Sequence, residues 1–272
     1  RQHHNRNLLN RHLAFERVLS VHCVSQNPSP PEHYERNPLI HGKPPKLFFA
    51  GTDTDVGKTY VASLAARVIH GQGTRLGVYK PVASGCSEKQ GKLIAEDAVS
   101  LWQAAGEPLT LEHVCPQRFR APLAPPEAAE QEQKQVDTKL LTEGVKAWED
   151  FDMVIVEGAG GLFSPLADGI LNIDLIQQLQ ATTVLVAANR LGVIHQTLST
   201  CEAAAKRGVH VMGIILCDPT GDADESTHSN SKQIAKYCPV PILGTIPFRG
   251  ESEDAAFLQS LIPPIANPNA DT

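Results

Sequence analysis

The run Gly51-Thr52-Asp53-Thr54-Asp55-Val56-Gly57-Lys58-Thr59 follows the apolar segment Lys46-Leu47-Phe48-Phe49-Ala50 and precedes a helical pattern that begins near Tyr60. Strand, glycine-containing loop and helix in that order make a phosphate cradle. Gly57 lets backbone amides approach phosphate oxygens, Lys58 adds a point charge, and the Thr59 hydroxyl suits magnesium at a helix start that already favours anions. The chain is therefore expected to bind a nucleoside triphosphate on an α/β fold. The common form of this loop has a glycine five residues before Gly57; here Thr52 stands there, with Gly51 one step earlier.

Beyond that loop, near-continuous apolar runs alternate with helical patterns, as a parallel sheet buried on both faces requires. Strands are expected at 46–50, 76–80, 152–156, 182–188, 210–217 and 241–245. Helices are expected near 58–70, 94–105, 138–149, 172–180, 194–207, 229–237 and 253–262. The pattern reads as a single α/β domain with a doubly wound, mostly parallel sheet of the P-loop NTPase type, spanning 46–263, with sites at the carboxyl ends of strands. Val114 to Pro126, with four prolines, and Pro219 to Asn230 read as surface loops, the first long enough for a lid.

Residues 1–45 differ in kind: they hold six of the eleven histidines, five arginines and only Glu16, Glu32 and Glu35 as acids, and end rich in proline. They read as a disordered or flexible extension, with an organelle transit peptide as the alternative, and 264–272 as a flexible tail. A net charge of −6 leaves no electrostatic footprint for nucleic acid, and no apolar stretch approaches a membrane span. Partners are expected to be small molecules or protein, in the cytoplasm. The six cysteines lack metal-ligand or C-x-x-C spacing and read as free thiols.

Further chemistry gathers at the ends of other strands. Lys80 closes Tyr79-Lys80-Pro81-Val82-Ala83-Ser84-Gly85 and would enter the same crevice as the phosphate loop. Two lysines converging there imply a highly anionic occupant. The strand Met153 to Val156 runs into Glu157-Gly158-Ala159-Gly160-Gly161, where Glu157 would hold magnesium and the glycines would let backbone pass close to phosphate or substrate. Asp97, early in a helix, is a third possible magnesium ligand. After the fourth strand, Asn189 to His195 leads into a helix whose free amides suit a carboxylate. Nothing in the sequence supplies His195 with the orienting partner a catalytic base needs.

Together these residues resemble the dethiobiotin synthetases, ATP-dependent enzymes that close the ureido ring in biotin synthesis. GTDTDVGKT at 51–59, YKPVASG at 79–85 and VEGAGG at 156–161 are similar to that family's own motifs, and the resemblance runs from about Leu47 to Ile262. Leu191-Gly192, the segment Gly244 to Phe248, and Phe119 with Pro122 and Pro125 are similar to weaker signals of the family.

The resemblance implies that Asp55, Val56, Gly57, Lys58, Thr59 and Tyr60 cradle the phosphates of ATP, and that Thr59, Asp97 and Glu157 hold Mg2+. It makes Lys80 the catalytic lysine, with Thr54, Lys58 and Ser84 positioning 7,8-diaminononanoate and its carbamate. Gly158, Ala159 and Gly160 would add phosphate or substrate contacts. The nucleotide base would lie near Cys217, Asp218, Pro247, Phe248 and Arg249, with Glu253 beyond. The family is a homodimer in which Gly192, Val193, Ile194 and His195 of one subunit meet the substrate tail bound to the other. At Cys217 the family usually has an asparagine, and His195, Gln196 and Glu127 also depart from its usual residues. The rival reading is a nucleotide-switch ATPase of the chromosome-partitioning or septum-placement type. That class usually carries an extra lysine early in the loop, where Asp53 and Asp55 stand here.

Overall fold

The computed structural model describes residues 43–261 apart from Ala223; the expectations for 1–42 and 264–272 lie outside the described residues. Six strands, β1 (Lys46–Gly51), β2 (Leu76–Tyr79), β3 (Met153–Gly161), β4 (Thr182–Ala188), β5 (Val211–Cys217) and β6 (Ile242–Ile246), form one sheet. Their order is β6-β5-β4-β1-β3-β2, with every neighbouring pair parallel. Phe48 on β1 stands opposite Thr183 on β4 and Val156 on β3, so the phosphate-loop strand lies inside the sheet. Its residues from Leu47 onward are buried, as are all four of β2, which explains runs without polar alternation.

The helices are α1 (Lys58–Gly71), α2 (Glu96–Ala104), α3 (Pro125–Gln131), α4 (Thr138–Glu143), α5 (Asn172–Leu179), α6 (Val193–Lys206) and α7 (Thr227–Tyr237), with a further single turn at Leu111–Val114. Helix α1 packs against α2 and the closing 3-10 turn Ala256–Leu261, while α4 packs against α5. A crossover from β1 to β2 leaves on one side of β1, and β4 pairs with its other edge. The crossover from β1 to β2 runs one way along the sheet and those from β3 through to β6 run the other, so right-handed connections place α1 on one face and α5, α6 and α7 on the other, with a crevice at the carboxyl ends of β1, β3 and β4.

The outline of strands and helices expected from the sequence is present, and its differences have local causes. The helix expected over 138–149 ends at Glu143 and tightens into 3-10 geometry at Gly144–Trp148. The expected 253–262 helix is the 3-10 turn Ala256–Leu261. Strand β3 runs on to Gly161, beyond its expected end at 156. The 114–126 loop contains Gln117–Arg118, paired with Val82–Ala83, and its proline pair opens α3, where a missing N–H costs nothing. The 219–230 loop stops early because α7 begins at Thr227.

Candidate active site

Gly57 is the residue preceding α1 and takes a left-handed φ of 87°, which turns the loop sharply onto the helix. A Cβ here would lie 2.6 Å from Cys217 Sγ at the end of β5, so the loop also needs glycine for want of space. No side chain caps α1, and its first turn carries no acid. Instead the turn opens with Lys58, a cation against the positive end of the helix dipole, which leaves uncapped amides beside an ammonium. Lys58 is buried, and burial is the main reason its ammonium is held below the ordinary lysine value; Glu157 and Asp97 counter it and Lys80 adds to it.

Lys80 is held where β2 ends, its amide donating to Val114 O at 2.8 Å. Its Nζ donates to Glu157 Oε1 at 2.7 Å and lies 3.1 Å from Asp97 Oδ2. Burial works against this ammonium, but Glu157 and Asp97 outweigh it and hold its pKa well above the usual lysine range. The Thr59 hydroxyl donates to the same Glu157 oxygen at 2.6 Å. Glu157 has no exposed surface, and its Oε2 is buried without a hydrogen-bond partner. Asp97, in the first turn of α2, keeps 57% of its side chain exposed, and its carboxyl is held below the usual range, chiefly by Lys80. Thr59 bonds Glu157 and Lys80 bridges Glu157 and Asp97, so the three side chains offer oxygen donors of the kind a hard cation such as magnesium takes.

Gly158, Ala159 and Gly160 continue β3 beside the phosphate loop, where Gly51 pairs with Gly161. Thr54 and Asp55 are exposed at the loop's crest, Val56 is buried beneath it, and Ser84 is half-buried after Val82–Ala83. Sequence reasoning passed over Asn172, the buried first residue of α5, which holds three carbonyls of the 159–164 segment. Its signal was slight, a single polar letter in an apolar helix start.

On the other side of the loop, Tyr60 is hydrogen-bonded through its hydroxyl to Gly250 O. Asp218 accepts from the amides of Thr220 and Gly221 at 3.2 and 2.8 Å, and the Phe248 ring fills the space a side chain at Gly221 would need. Arg249 lies over that ring at 5.0 Å. Pro247, Phe248, Arg249 and Glu253 are exposed, so this group forms a surface rim beside the loop. Cys217 differs from the others: it is fully buried, with its thiol against Gly57 and pushed up to about 12 by burial. It supports the loop from beneath and offers no exposed thiol for a base.

Gly192 takes a φ of 96° before α6, a helix start with neither a side-chain cap nor an acid in its first turn. Val193 is buried, Ile194 half-buried and His195 exposed, and the Leu191 amide donates to Asp224 at 2.9 Å. This turn ends β4, one strand away from the phosphate loop.

A family model described as an AAA domain matches residues 45–256. An ATP-dependent dethiobiotin synthetase BioD of Rhodopirellula baltica is 44% identical over 211 residues, which is 73% of this chain and 82% of that protein. Proteins of the same name are 36% identical over 202 residues in Bacillus subtilis, covering 74% of this chain and 86% of the relative, and 35% identical over 218 residues in Bacillus cereus, covering 79% and 88%.

Proposed function

Because the chain belongs to the family of ATP-dependent dethiobiotin synthetases, it is an ATP-dependent ligase of biotin biosynthesis, and we propose that its chemistry runs in the crevice where Lys58, Lys80, Thr59, Asp97 and Glu157 converge. The buried ion pair of Lys80 and Glu157, with the buried Lys58 close enough to feel both charges, carries the reading. The nucleotide-switch alternative is not favoured by the relatives.

An alkyl amine of pKa ~10.4 is neutral in only about one part in two thousand at pH 7. Capture of carbon dioxide therefore needs cations that favour the neutral amine and the carbamate anion it forms. Lys80 suits this as a fixed charge. Its hydrogen bond to Glu157 and the nearby Asp97 carboxylate favour the ammonium, which acts as donor and counter-ion. The amine lone pair bonds to the carbon of carbon dioxide, one C=O π pair moves onto oxygen, and the amine proton passes to water, giving a carbamate held by Lys80, Thr54 and Ser84. A carbamate oxygen attacks the γ-phosphorus in line, the bond to the β-phosphate oxygen breaks, and ADP leaves. The second amine attacks the anhydride carbon, expels phosphate and closes the ureido ring.

The uncapped amides from Asp55 to Tyr60 would hold the phosphates, with Lys58 as a point charge among them. Thr59, Glu157 and Asp97 would hold Mg2+, which when bound offsets charge on the β and γ oxygens. Gly158 to Gly160 would line the phosphate or substrate. The base would rest on the rim of Asp218, Pro247, Phe248 and Arg249, near Glu253, with Cys217 beneath. The amides of Gly192 to His195 would meet the substrate carboxylate across a homodimer. We place the enzyme in the cytoplasm; among the described residues no helix is long and apolar enough to cross a membrane.

Incubating the full chain with 7,8-diaminononanoate, bicarbonate and a panel of magnesium nucleoside triphosphates tests the reading. Dethiobiotin should form, with ATP consumed only when the diamine is present. ATP hydrolysis stimulated by DNA or lipid and indifferent to the diamine would overturn it.

A further inference from the structure

The glycine-rich end of β3 and the turn that follows it are shaped from behind by one side chain. Asn172 is buried, and its Nδ2 donates to Ala159 O at 2.7 Å, Gly161 O at 2.8 Å and Ser164 O at 3.1 Å. Three carbonyls of one turn are thereby drawn toward a single amide nitrogen. Peptide planarity turns the N–H of Gly160 and of Leu162 the opposite way from the carbonyls of Ala159 and Gly161, while Ser164 is followed by Pro165, which has no N–H. Asn172 Oδ1 is buried without a partner, and it fills the space a Cβ on Gly158 would need. The front of the turn meets the phosphate loop: Leu162 N donates to Gly51 O at 2.8 Å, and a Cβ on Gly161 would lie 3.4 Å from Asp53 Cα. A Cβ on Gly160 would lie 3.6 Å from Thr54 Oγ1.

Asn172 Oδ1 carries the cost of burial without a partner among the described residues, while its Nδ2 keeps the carbonyls of Ala159, Gly161 and Ser164 paired. We propose that Asn172 is a positioning residue, one that sets the direction of the 159–161 peptides so that the glycine turn and Thr54 face the reacting carbamate and phosphoryl group. It touches neither substrate; it acts through the turn. The inference rests on the site reading above, because it matters only if Thr54 and the glycine turn line the reaction.

The test compares wild type, Asn172→Leu and Asn172→Ser in the full chain. Three quantities are read: dethiobiotin synthesis, MgADP affinity by calorimetry, and backbone hydrogen exchange over 157–164. Asn172→Leu should lower kcat/KM for the diamine by more than about tenfold, as expected when reacting groups are held slightly out of place. MgADP affinity, to which the 55–60 amides, the magnesium ligands and the base rim contribute directly and Asn172 does not, should stay within about threefold. Exchange over 157–164 should quicken while 46–59 is unchanged, and Asn172→Ser, which keeps one donor, should fall between. Kinetics and exchange like wild type in Asn172→Leu would overturn the proposal. So would loss of MgADP affinity in step with diamine turnover, or collapse of the fold in both variants, since each would make the role purely structural. A wild-type chain that makes no dethiobiotin would instead defeat the site reading, and the exchange result would still report on the turn.

Discussion

The Lys80 ammonium donates to Glu157 Oε1 at 2.7 Å, joining two residues 77 positions apart in a pair with almost no exposure. Removing one member leaves the other buried and unbalanced, which typically costs about 3–5 kcal/mol. Lys80→Met should therefore lower stability on that scale and abolish turnover, a loss of at least roughly 3 kcal/mol of transition-state stabilisation. Adding Glu157→Leu should recover much of the stability and none of the activity. Denaturant unfolding and dethiobiotin assays on the two variants check this; a single variant as stable and active as wild type would contradict it.

Asp97 supplies an acid-side signature. Its folded pKa is depressed, chiefly by Lys80, so it contributes stability that is fully present above the unfolded carboxylate value of ~3.9 and is lost as pH falls through the folded value. Asp97→Asn should flatten the decline of stability below about pH 4, and with 57% of the side chain exposed the change should be modest. Urea midpoints from neutral pH down to about pH 3 read it. An unchanged acid slope would remove the Asp97–Lys80 link.

Gly57→Ala meets two obstacles, a left-handed φ of 87° and the Cys217 thiol at 2.6 Å from the new methyl. The backbone part costs about 1–2 kcal/mol. MgADP binding should fall sharply, and Cys217→Ala in the same chain should relieve the clash but not the backbone strain. Calorimetry and melting curves on the single and double variants would show partial rescue; no rescue would mean that Cys217 does not crowd the loop.

Thr59→Val removes the hydroxyl that donates to Glu157 Oε1 at 2.6 Å while keeping the shape of the side chain. Magnesium-nucleotide affinity should weaken by roughly 10-fold to 100-fold with the fold intact. Titration with MgATP and with metal-free ATP separates the effects: a loss equal in both would place the hydroxyl on phosphate and not on the cation.

What the sequence determined by itself was local. Apolar runs of strand length, the glycine before Lys58 and the acid after β3 declare their geometry within a few residues, because dihedral preference and hydrophobic period act over one turn or one strand. The same reasoning overlooked α3, although Pro125 and Pro126 stand where a helix start tolerates them. Tertiary structure alone decided the rest: that Glu157 shares one oxygen between Lys80 and Thr59, that Cys217 lies under Gly57, and that Asn172 gathers the carbonyls of the glycine turn. The first two join segments brought together only by the order of strands in the sheet, and the third depends on how the chain folds back from β3 onto α5. Burial and charge balance at such a meeting depend on neighbours that no short stretch of sequence contains.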